Sequence, residues 1–87
     1  MRMIHRLVGY DRSTERVVSQ HDIPAKHLPV MKRIAKVPAS DPDMIGSYIL
    51  DDAEARDVAG VLDLGIDVAE QVFVIEAYDP TSIAKRA

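Results

Sequence analysis

The chain has 87 residues, enough for one small domain. Its 47% apolar and 29% charged residues are the balance of a globular domain, not of a disordered segment. The absence of cysteine excludes disulfides, thiolate metal sites and cysteine nucleophiles. No apolar run approaches the roughly 18 residues of a membrane span, and the charged start Met1-Arg2-Met3-Ile4-His5-Arg6 lacks the apolar stretch of a secretion signal. A soluble cytoplasmic protein is therefore expected.

Met3 to Tyr10 alternates as a strand. Ile4, Val8 and Tyr10 share one face, and Met3, His5 and Leu7 the other. Asp11-Arg12-Ser13-Thr14 reads as a turn, its aspartate placed to accept from the backbone two residues on. Glu15 to Ile23 follows as a second strand through Val17 and Val18, which completes a β-hairpin. Pro24 stops that strand, because proline cannot donate to a ladder, and opens a single turn. Leu28, Met31, Ile34 and Ala35 then recur at helical spacing, and Pro29 places the start of this helix near Leu28. A loop rich in proline spans 37–43, where Asp41-Pro42 can begin one helical turn. Gly46 to Leu50 reads as a short strand.

The next segment carries the strongest local signal. Asp51 and Glu54 have the spacing of a capping box, ahead of a stripe of Ala55, Val58, Ala59 and Leu62. Leu64-Gly65 is expected to stop this helix, with the glycine left-handed. Asp52 and Arg56 are expected to pair one turn apart. Gly60 is expected to mark a close approach of the helix to a sheet. Asp67 and Glu70 repeat the capping spacing over a single turn. Val72 to Tyr78 is the last strand, with Val72, Val74, Glu76 and Tyr78 on one face and Phe73, Ile75 and Ala77 on the other. Apolar residues on both faces suit a central strand.

These elements define an α+β domain in the order ββαβαβ. A small, mainly antiparallel sheet of three to four strands (hairpin, short strand and C-terminal strand) packs with two α-helices, both expected on one face. The domain is assigned to residues 1–80, with a short tail over 81–87.

The net charge of −3 conceals an asymmetry. Residues 1–36 hold eight Lys or Arg against three acids, whereas residues 37–84 hold only Arg56 against eleven acids. Either the two halves lie side by side and their fields partly cancel, or the molecule is bipolar and docks through one charged face.

No constellation for catalysis emerges. The four glycines are isolated, so no phosphate loop is present. His5 and His21 fall near matching heights in the hairpin and, as cross-strand neighbours, would suit a metal or a proton shuttle; ordinary sheet histidines among arginines are the plainer account. Asp41, Asp43, Asp51 and Asp52 lack the calcium-loop pattern, and capping explains Asp41, Asp51 and Asp67. Glu76, a carboxylate in an apolar strand, must be paired, exposed or kept protonated, and Arg2, Arg6 and Arg16 are the natural partners. The basic first half is an argument for nucleic-acid binding. The acidic total and only four aromatic residues argue against it. No catalytic, cofactor-binding or metal-binding residue is assigned.

Gly46-Ser47-Tyr48-Ile49-Leu50-Asp51, Ala55-Arg56 and Phe73-Val74-Ile75-Glu76-Ala77-Tyr78 resemble segments of an uncharacterised family of short bacterial proteins, a domain of unknown function. The resemblance implies a small bacterial α+β domain and carries no activity and no site residues. The leading expectation is a non-catalytic protein-interaction domain that forms a homodimer, because a sheet covered on one side by two short helices leaves apolar residues on the other. Several of Val72, Val74, Tyr78, Ile4, Val8 and Tyr10 are expected to be exposed there, or the alternate set if the register is reversed. The rival is a small-molecule-binding or enzymatic domain using His5, His21 or Glu76.

Overall fold

In the computed structural model, which describes residues 3–79, the first two strands are β1 (Ile4–Asp11) and β2 (Val17–Ile23). The Asp11 carboxylate closes their turn by accepting from the amides of Thr14 at 2.9 Å and Ser13 at 2.8 Å, bonds that hold its carboxyl below the usual carboxylate range. Pairing runs one-to-one from His5 opposite Ile23 to Gly9 opposite Ser19, then jumps so that Tyr10 faces Val17. Val18 is the extra residue of a β-bulge.

Pro24 ends β2 as expected. A 3-10 turn (Ala25–His27) precedes helix α1 (Leu28–Ile34), in which Pro29 sits in the first turn, where its missing amide costs nothing. The connection to the next strand folds around Asp41. Its carboxylate accepts from the Tyr48 hydroxyl and from the amides of Gly46 at 2.9 Å and Ile45 at 2.8 Å. Those bonds, Tyr48 first, hold the Asp41 carboxyl low, and the same contact raises the Tyr48 phenol. Met44 takes a left-handed φ of 54°, a conformation that full burial of its side chain offsets.

β3 (Tyr48–Leu50) leads directly into helix α2 (Asp52–Leu62). The capping box forms in both directions: Asp51 accepts from the Glu54 amide at 2.7 Å, and Glu54 accepts from the Asp51 amide at 2.9 Å. Ala55, Val58 and Ala59 are buried, and Leu62, at the helix end, is half-buried. Three local expectations are corrected here. The left-handed residue after the helix is Asp63, at φ 56°, and not Gly65; aspartate tolerates that region better than most side chains. Asp52 pairs with Arg12 of the hairpin turn, at 3.1 Å, rather than with Arg56. Gly60 marks no close approach, since a Cβ added there would meet nothing within 4 Å. β4 (Gln71–Tyr78) follows a turn in which the Asp67 carboxylate accepts from the amides of Ala69 and Glu70.

All pairings are antiparallel and the sheet order is β2-β1-β4-β3, so the fourth strand along the chain lies centrally. By alternation, His5, Leu7, Gly9, Phe73, Ile75 and Leu50 share one face. Leu7, Phe73, Ile75, Leu50 and Ile23 pack there with Met31 of α1, Ala55 and Val58 of α2, and Met44. Both helices thus cover a single face. Gly9 is required on it: the Ser19 hydroxyl donates to Gln71 Oε1 at 2.9 Å directly over the glycine, and any Cβ would strike both groups.

The basic and acidic halves of the chain also divide the sheet. β2 and β1 belong to the basic half, β4 and β3 to the acidic half, and they meet where β1 pairs β4. Arg12–Asp52 and Lys36–Glu54, at 3.1 and 4.0 Å, bridge the halves. The expected tail over 81–87 lies outside the described residues. Among the described residues, no helix is long and apolar enough to cross a membrane.

Candidate functional site: the uncovered face of the sheet

The face turned away from the helices is built from four rungs of the β1–β4 ladder: Ile4–Tyr78, Arg6–Glu76, Val8–Val74 and Tyr10–Val72. Ile49 lies beside Val74 on the β3 flank, and Val17 lies beside Tyr10 on the β2 flank. Several of six of these residues were expected to be exposed, and none is: Val8 and Val74 are buried, at 0% and 7% exposed, while Ile4, Tyr10, Val72 and Tyr78 are half-buried. The Tyr10 hydroxyl donates to Glu76 Oε2, two rungs away, so its side chain must cross the intervening Val8–Val74 rung and shield it. The Tyr78 hydroxyl donates to the other oxygen, Glu76 Oε1, at 2.8 Å. A polar roof of two phenols sharing one carboxylate therefore does for Val8 what the helices do for Leu7.

The electrostatics follow from this geometry. The bond to Glu76, then burial, then the nearby negative charge push the Tyr10 phenol up to about 12. The Tyr78 phenol is raised first by burial and then by its bond to Glu76. Among the described residues Glu76 is thus paired by tyrosines and not by Arg6 or Arg16; Arg2, also expected as a partner, lies outside the described residues. Arg6 lies opposite Glu76, yet its Nε donates to Asp22 Oδ1 at 3.0 Å, its Nη1 to Gln20 Oε1 at 3.4 Å, and its guanidinium lies over the Tyr78 ring at 5.1 Å. The bidentate, planar head finds a carboxylate and an aromatic face together at that place.

On either side of this roof the surface is apolar. Ile49 is 74% exposed, and Val17 and Val18 are 46% and 54% exposed. Tyr10, Val72, Val74 and Ile49 line a shallow groove of about 280 Å³, closed at one end by Asp11, Arg12 and Glu15.

The histidines lie elsewhere. His5 is buried on the helix-covered face. Its Nε2 lies 3.0 Å from the Met44 carbonyl and 3.2 Å from that of Asp43, so this nitrogen carries the proton and ties β1 to the loop. His5 and His21 are not directly opposite, since Ile23 faces His5 and Leu7 faces His21; the turn and the bulge together set this offset. His21 lines a groove of about 460 Å³ with His27, Lys26, Leu62 and Asp63. Neither histidine shares a face with Glu76. Among the described residues, no group of three His, Asp or Glu side chains is disposed to hold a metal ion.

Residues 4–76 match the family described as Domain of unknown function (DUF7683). The chain belongs to this family. No curated protein and no solved structure matches it. The matched span reaches from the first residue of β1 to Glu76 and so takes in most of both faces of the sheet.

Proposed function

We propose that this DUF7683 domain is a non-catalytic protein-interaction module whose working surface is the uncovered sheet face. One observation carries this reading. The polar groups of that face are occupied with one another, through Tyr10–Glu76–Tyr78 and Arg6–Asp22, whereas the apolar side chains of Ile49, Val17 and Val18 stand exposed at its two flanks. A reacting site needs polar groups free to meet a substrate, and an interface needs apolar area with few unpaired charges. The separation of His5 and His21 from Glu76 by the thickness of the sheet also speaks for this reading over a small-molecule or enzymatic site using the three. Nucleic-acid binding is disfavoured by the internal engagement of Arg6 with Asp22 and of Arg12 with Asp52 and the Val68 carbonyl. A photo-cross-linking side chain installed at Ile49 in the cells that make the protein tests the proposal, with Gly60 on the exposed surface of α2 as the control. Adducts are expected from position 49 and not from position 60. A cell population in which position 49 gives no adduct overturns the reading.

A further inference from the structure

The two ring nitrogens of His5, a side chain only 4% exposed, have different surroundings. Nε2 donates to the carbonyls of Met44 and Asp43. Nδ1 meets no described group, yet among the described residues no buried side-chain nitrogen or oxygen is left without a partner. Nδ1 is therefore open to the cavity that His5 lines, a space of about 620 Å³ walled by Met3, Ala25, Leu28, Pro42 and Ile45. With its proton on Nε2, the neutral ring presents a lone pair there. An apolar recess of about 170 Å³ adjoins this cavity, shares Met3, His5, Ala25 and Leu28 with it, and is completed by Ile4 and Ile23.

Two charged side chains line the same cavity, Lys32 of α1 and Asp43 of the loop. Among the described residues neither forms an ion pair, with the other or with any third group. Lys32 is half-buried, one turn after Leu28 on the same side of the helix. An unpaired, half-buried cation and an unpaired carboxylate beside one apolar recess are complementary to a molecule that carries both charges and an apolar body. We propose that the cavity binds a free α-amino acid with an apolar side chain. Its carboxylate meets Lys32, its ammonium donates to Asp43 and to His5 Nδ1, and its side chain enters the recess beside Ile4, Ile23 and Leu28. A plain carboxylate leaves Asp43 and the Nδ1 lone pair without a donor, and a plain amine leaves Lys32 without an anion. One wall is built in advance: His5 Nε2 holds the Asp43 and Met44 carbonyls, and the Asp41 carboxylate holds the amides of Ile45 and Gly46. None of Ile49, Val17 and Val18 lines the cavity or the recess, so this site is independent of the interface reading.

The test is a titration of the 87-residue chain with L-leucine at neutral pH, followed at the backbone amides by NMR. Two further probes each lack one of leucine's charges: 4-methylpentanoate has no ammonium and 3-methylbutylamine no carboxylate. Saturable shifts are expected at Met3, Lys32, Asp43 and Ile45, with either single-charge probe binding about tenfold or more weakly than leucine. Lys32→Met keeps the apolar stem and removes the charge. It is expected to melt with the wild type and to weaken leucine binding about tenfold or more, as is Asp43→Asn on the exposed loop. The absence of any saturable shift with L-leucine and with L-phenylalanine up to about 10 mM overturns the site. Binding of 4-methylpentanoate as tight as that of leucine, or undiminished leucine binding by Lys32→Met or Asp43→Asn, overturns the zwitterion as its ligand.

Discussion

Leu7 and Val8 are neighbours in the chain, point to opposite faces of the same sheet, and are both 0% exposed. Leu7 is dried by two helices and belongs to a cluster of nine buried apolar residues. Val8 is dried by the reach of one tyrosine to one glutamate. The two faces teach that burial has two sources in a domain this small. One is layered packing, whose stabilisation scales with area. The other is a polar lattice laid over apolar side chains, whose stabilisation depends on hydrogen bonds staying intact. The first tolerates changes of pH and salt; the second responds to them.

Perturbing each face in turn sharpens the contrast. Phe73→Ala, which empties the largest buried side chain of the helix-covered face, is expected to cost about 3–5 kcal/mol in chemical denaturation. Glu76→Ala removes the acceptor of both phenols on a half-buried site and is expected to cost about 1–3 kcal/mol in the same assay. If its cost equalled that of Phe73→Ala, the roof and not the helix layer would hold the sheet. The same lattice sets an alkaline limit. Because the Tyr10 phenol is raised in the folded chain, its stabilisation is complete below about pH 10 and is lost as pH rises from about 10 to about 12. Thermal unfolding across that window should fall more steeply for the wild type than for Tyr10→Phe, and an equal slope would contradict the assignment. Asp51→Ala, which opens the capping box under the helix layer, should lower stability by about 1 kcal/mol and leave the tyrosine titration unchanged. Gly60→Ala should raise stability by about 0.5–1 kcal/mol, because the position is helical, exposed and without neighbours; a loss would mean that the helix approaches something there.

The helix-covered face was largely legible in the sequence, because period-two and period-3.6 patterns report directly on which residues face a shared core. The alternation of Ile4 to Tyr10 and of Val72 to Tyr78, the stop at Pro24 and the capping box of Asp51 and Glu54 all appear as read. The uncovered face was legible only in part. Alternation places Tyr10, Glu76 and Tyr78 together, but it does not reveal that a long aromatic side chain bridges two rungs, so arginine seemed the natural partner of Glu76 and Val8 seemed exposed. The bulge at Val18 shifts the hairpin register, and bulges leave no compositional mark in a run of valines. Asp63 replaced Gly65 as the left-handed residue because the helix ends one turn's fraction earlier than the glycine suggests. The tie from His5 to the carbonyls of Asp43 and Met44 spans 38 and 39 residues, a distance that local patterns cannot bridge.

The central position of β4 governs the order in which the domain can be assembled. Among the described residues β3 pairs with no strand but β4, and the β1–β4 ladder joins residues 60 to 74 positions apart. During synthesis the hairpin and both helices therefore leave the ribosome before either has a sheet to complete. The nascent chain carries an unpaired β1 edge and a bare Leu7 until the segment through Tyr78 emerges. Closure is then a single late event, slow for a chain of this length because it must meet the loop-closure entropy of nearly the whole domain at once. A chain halted before Gln71 holds every helix of the described fold and half of its sheet, with its core open to solvent and to other nascent chains.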